Sequence, residues 1–135
     1  MSGSRVRTLR AGLVGLAAFA AAAVSAPAAS AHHSFAMFDK EHPVALQGTV
    51  KSWEFTNPHS WLVLETVKNG RPVEVNIEGA SVLTLVRQGF GLHTFAPGEK
   101  INVVISPLKN GGVGGAFVKA TKADGTVLTE SPTPN

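Results

Sequence analysis

The chain has 135 residues, with 12 Lys and Arg against 9 Asp and Glu, five His, and neither Cys nor Tyr. That length supports one compact domain, and the lack of Cys excludes disulfides, thiolate metal sites and thiol nucleophiles. The formal charge of +3 resides in residues 1–31, which hold Arg5, Arg7 and Arg10 and no acidic side chain. Setting those three arginines aside leaves nine basic against nine acidic residues in 32–135, so the phosphate attraction that drives nucleic-acid binding is missing.

Residues 1–31 have the three parts of a cleavable export signal in order: a basic start, an apolar run over residues 12–26, and small residues ending in Ala29-Ser30-Ala31. The apolar run falls short of the roughly 20 residues that span a bilayer. Cleavage between Ala31 and His32 is expected, and without Cys no lipid is attached there. The expected product is a soluble periplasmic or secreted protein, with one domain over residues 32–128 and a flexible tail over 129–135.

Period-two alternation organises the domain. Val44, Leu46 and Val50 share one face of a first strand, whereas Trp53 and Phe55 fall out of phase, which predicts a bulge near Lys51 and Ser52 just after Gly48. The sequence Thr56-Asn57-Pro58-His59-Ser60 reads as a turn. Trp61-Leu62-Val63-Leu64 is apolar on both faces and reads as a buried second strand. Asn69-Gly70 is a type I′ hairpin signal leading into a third strand, in which Val73, Val75 and Ile77 alternate with Glu74, Asn76 and Glu78.

Helical spacing follows: Ser81 as N-cap, Val82, Leu85 and Val86 on one face, and Gly89 as terminator. Pro97-Gly98 turns into a fourth strand with Ile101, Val103 and Ile105 facing one way. A flexible Lys109–Gly115 loop is expected next, then a fifth strand over 116–121 and a sixth beyond Asp124-Gly125. Three strands, a short helix and two further strands make an all-β protein in the order of a small OB-like Greek-key barrel; a β-sandwich is the alternative.

Candidate chemistry centres on histidine. Cleavage after Ala31 makes His32 the first residue, whose free amine and imidazole Nδ1 can chelate one ion. One more imidazole completes a T-shaped nitrogen set suited to copper, and zinc or nickel can take the same donors. His59, in the turn between strands one and two, is the expected third ligand, with Trp53 and Trp61 as its shield. His33 can replace or supplement it, and His42 and His93 are reserves. Against this, terminal residues commonly fray, a turn histidine can simply bond backbone, and both tryptophans can be packing residues.

Catalysis has less support. No G-x-S-x-G elbow is present, the glycine-rich run lacks the ending of a phosphate loop, and Glu74 and Glu78 read as solvated charges on a polar strand face. An enzyme is therefore the weaker expectation. The class-distinct alternative to metal binding is a non-enzymatic module that takes a small ligand, envelope polymer or protein through Trp53, Trp61 and the Gly111–Gly115 loop.

His32-His33-Ser34-Phe35 after an export signal, then Gly48-Thr49-Val50, Thr56-Asn57-Pro58-His59-Ser60-Trp61, Leu85-Val86-Arg87-Gln88-Gly89-Phe90 and Pro97-Gly98-Glu99, together resemble an exported bacterial family of unknown function. The resemblance runs over nearly the whole chain after residue 31. It implies a small periplasmic β-rich domain and supplies no activity, catalytic residue or cofactor. The chain departs from the family pattern at Phe90, where a Trp is expected, and near Val75, where an aromatic is common.

Overall fold

A computed structural model describes residues 35–131. A 3-10 turn, Phe35–Met37, leads into β1 (Val44–Glu54), β2 (Trp61–Lys68), β3 (Arg71–Glu78), a six-residue helix α1 (Val82–Arg87), β4 (Lys100–Pro107), β5 (Gly114–Lys122) and a short β6 (Val127–Thr129). The strand order is β3-β2-β1-β4-β5-β6, and a further β3–β5 pairing closes β1 to β5 into a barrel. This is the expected OB-like arrangement, with one short helix between β3 and β4.

Local sequence accounts for much of the path. At the β2–β3 hairpin Asn69 and Gly70 both have positive φ, 52° and 73°, the backbone that a type I′ turn requires. In β1 the ladder to β2 steps from Val50↔Leu64 to Ser52↔Val63. Lys51 is therefore the extra residue of a bulge, and that one-residue slip returns Trp53 and Phe55 to the core side.

The barrel interior is lined by every second residue of its strands. Val50, Leu62, Leu64, Ile77, Ile101 and Val103 are all 2% exposed or less, and each such side chain contributes about 1.5–3 kcal/mol by leaving water. β2 is not buried on both faces, as its composition suggested. Leu62 and Leu64 point in, while Trp61 is 37% exposed, because the wall of a barrel has one dry face.

Helix α1 starts where expected. Ser81 accepts from the Thr84 amide at 3.5 Å, and the Asn57 side chain accepts from the Val82 amide at 3.0 Å. Two of its first free amides are thus satisfied by side chains, one of them from the β1–β2 turn. Leu85 is buried, but Val86 is exposed. Successive residues of a helix are about 100° apart, so a helix of fewer than two turns aimed by Leu85 carries Val86 outward. Gly89 and Phe90 close it by donating back to Val86 and Leu85.

Closure depends on two glycines. A Cβ at Gly114 would lie 2.7 Å from the Asn76 carbonyl oxygen, and one at Gly115 would lie 2.4 Å from that of Ser106. Both are buried and already belong to β5, so the strand begins two residues earlier than its alternation indicates. The segment before them is tied down as well: Lys109 donates to the Met37 carbonyl, Leu108 to that of Gly114, and Gly112 to the Asn110 side chain. The expected flexible loop is thus shorter and more bonded than its glycine content suggests.

Candidate functional site

The β1–β2 turn is wired to its surroundings at almost every residue. Thr56 and Ser60 bond each other through the Ser60 hydroxyl, and the Thr56 hydroxyl donates to the His59 carbonyl. The Ser60 amide donates to Ala80 and its carbonyl accepts from Gly79. Ser60 is fully buried, and the Asn57–Pro58 bond is cis.

His59 is half-buried on this frame. Its Nδ1 lies 3.2 Å from the Gly79 carbonyl oxygen and 3.1 Å from Glu78 Oε1. Both partners accept, so Nδ1 carries the hydrogen, and in the neutral ring the lone pair belongs to Nε2. A histidine held by a carbonyl or carboxylate at one nitrogen is fixed in orientation and tautomer, as in metal sites.

Glu78 is correspondingly sheltered, with its side chain 11% exposed. Beside it stands Glu130, from the segment after β6. The Ala80 amide bonds the Glu130 carboxyl, while Oε2 is buried without a hydrogen-bond partner. Burial pushes Glu130 up to about 7; the Ala80 bond opposes that rise and the nearby Glu78 charge adds to it.

Neither carboxylate was expected here. Glu78 occupies the polar phase of an alternating strand, and Glu130 lies in the expected tail. Their setting comes from contacts 19 and 52 residues apart in sequence, for which no local pattern exists. Glu74, by contrast, pairs with Lys51 in solvent, as a polar strand face implies.

The other candidates are spread over the molecule. His32 and His33 lie outside the described residues. His42 is highly exposed, and its Nδ1 bonds Asp39 Oδ2 at 2.9 Å, which is the first cause holding the Asp39 carboxyl below its usual range. His93 is exposed. Among the described residues no three His, Asp or Glu side chains converge as a metal-holding group.

The two tryptophans do not share a surface. Trp53 pairs with Leu62 and Glu54 with Trp61, so Trp53 faces inward and Trp61 outward. Trp53 Nε1 donates to the Gly91 carbonyl at 2.9 Å, and its ring packs on Phe55, Phe90 and, edge to face at 5.2 Å, Phe95. A joint shield over His59 is therefore not formed by this pair. Phe90, at the position where Trp was expected, is 4% exposed inside the same aromatic group and meets Phe117 edge to face at 5.6 Å.

A sequence model for a family of unknown function, DUF6152, matches residues 20–117. The chain belongs to that family. The DUF6152 match takes in the His32-His33 pair, the Thr56–Trp61 turn with His59, helix α1, and β5 as far as Phe117. It ends before β6, so Glu130 lies outside it. No curated protein and no solved structure matches the chain.

Proposed function

We propose that this DUF6152 member is an exported metal-binding protein that holds copper through the amine and imidazole of His32 together with His59, with His33 as a further donor. Its role is carriage or buffering of the ion. The observation that carries the reading is the His59 ring, anchored at Nδ1 by the Gly79 carbonyl and Glu78 so that Nε2 is the nitrogen left to ligate.

Barrel closure sets the distance that the N-terminal segment must cross. The Asp39 amide bonds Pro107, Pro107 pairs with Gly115, and Gly115 with Ile77. Three strand spacings, about 15 Å, therefore separate Asp39 from the strand that ends beside His59. Phe35–Met37 is a 3-10 turn, so the reach from Phe35 back to His32 is three residue steps, at most about 10 Å.

The test is a Cu(II) titration of protein starting at His32, compared with protein carrying one additional residue before it. Tight binding is expected only with the free His32 amine, and His59→Ala should weaken it by about tenfold or more. Equal binding by both forms, or a tight site untouched by His59→Ala, overturns the reading. The second reading, a non-enzymatic module for an envelope ligand or protein, draws support from Trp61, a large aromatic exposed on the outer face of β2.

A further inference from the structure

β6 is a three-residue strand, Val127–Thr129, laid on the β5 edge through Lys119↔Thr129, Ala120↔Leu128 and Thr121↔Val127. Only Leu128 of the three packs against the core, and so short a strand has little hold of its own. Its hold comes from the residues just after it. The Glu130 amide donates to the Val118 carbonyl at 3.0 Å. Val118 is the residue skipped where the β4–β5 register slips. Beyond it, the Ser131 amide donates to Gln88 Oε1 and Gln88 Nε2 donates to the Ser131 carbonyl, at 3.3 and 3.2 Å.

Between these ties the Glu130 side chain is pressed inward. Its Oε2 is buried without a partner and lies over Gly79, where a Cβ would meet it at 3.4 Å, an ordinary contact distance. The groups facing it come from three sides. The turn after β3 gives the Ala80 amide, and β3 gives Glu78, which itself faces His59 of the β1–β2 turn. The C-cap of α1 is the neutral Gln88, whose side chain bonds the Ser131 backbone next to it. On β5, Lys119 stands opposite Thr129 but is exposed, and among the described residues no cation pairs with Glu130. Such a setting accepts a neutral carboxyl and penalises a carboxylate, which would bring a second negative charge beside Glu78 with one oxygen unsolvated.

We propose that Glu130 is a proton-operated clasp for the C-terminal strand. In its acid form it holds β6 on the barrel, and loss of its proton releases residues 127–131, baring the β5 edge from Lys119 to Thr121. The upward push on this carboxyl puts the change near neutral pH. Glu130 and β6 lie beyond the DUF6152 match, whereas Glu78, Gly79, Ala80 and Gln88 lie within it.

Hydrogen exchange on the full chain, corrected for the intrinsic effect of pH, tests it. From about pH 5.5 to about pH 8.5 the Glu130 and Ser131 amides should lose nearly all their protection through local opening, while β2 and β3 amides lose no more than the fall in global stability. Glu130→Gln, which cannot ionise, should keep these amides protected at both ends of that range. A flat profile in the native chain, or an equal loss in Glu130→Gln, overturns the proposal. Should that variant fail to fold, the carboxyl carbon-13 shift of Glu130 in the native chain decides. Titration near neutral pH in step with the β6 amides supports the clasp, and titration near the ordinary glutamate value of about 4.3 overturns it.

Discussion

Glu74 and Glu78 stand four residues apart on one face of β3, yet they live in different environments. Near the hairpin, Glu74 is half-exposed and meets an equally exposed Lys51. At the other end, Glu78 is nearly sealed against His59, with Glu130 close enough for its charge to be felt. The strand and its alternation are the same at both ends. What differs is the covering: the hairpin end projects into solvent, whereas the closed end lies under the β1–β2 turn and the C-terminal segment. Burial of a polar strand face is thus decided by what crosses it, and the same crossing changes the chemistry available to a carboxylate.

Several substitutions can break or sharpen this contrast. The largest effect is expected from Gly115→Ala at the closed end, where the new Cβ would meet the Ser106 carbonyl oxygen at 2.4 Å. That oxygen is backbone and cannot swing aside, so urea unfolding should show a loss of about 3 kcal/mol; an unchanged midpoint would mean that the β3–β5 seam adapts.

Next comes the effect of pH. The Glu130 carboxyl is raised from 4.5 in the unfolded chain to about 7 in the folded one. Its acid form therefore contributes stability fully below about 4.5, and that contribution is lost as pH rises to about 7. The upper bound is about 3 kcal/mol. Because the carboxyl is not wholly sealed from water, about 1–2 kcal/mol is the expected fall. Urea midpoints on either side of the range measure it, and the fall should vanish in Glu130→Gln. The smallest effect belongs to the hairpin end: Lys51→Ala should leave the urea midpoint unchanged within error, since the Lys51–Glu74 pair is screened by water.

The legible parts of this fold are those with a local cause. The phase break between Val50 and Trp53 located the bulge, Asn69-Gly70 located the hairpin, and Ser81 and Gly89 bracketed the helix. Each reflects a backbone geometry that only certain neighbouring residues support. Mistakes arose where a distant contact decides. Composition made Val63 and Trp61 look as dry as Leu62 and Leu64, and helical spacing put Val86 with Leu85. Gly114 and Gly115 read as loop because glycine frequency signals flexibility as readily as close packing. For the candidate site, His59 was visible as an unusual residue in a turn, but the partners of its ring were not.

By itself the sequence determined the class of the protein, the period of its strands, the positions of its turns and the neutrality of residues 32–135. Those properties are written in residues near one another, through φ preferences and alternation. The tertiary structure alone decided that Trp53 packs inward while Trp61 faces out, that Glu78 holds His59, and that one oxygen of Glu130 is buried without a partner. Each of those outcomes depends on barrel closure, which joins residues from β3, β5 and the C-terminal segment and sets local dielectric and charge.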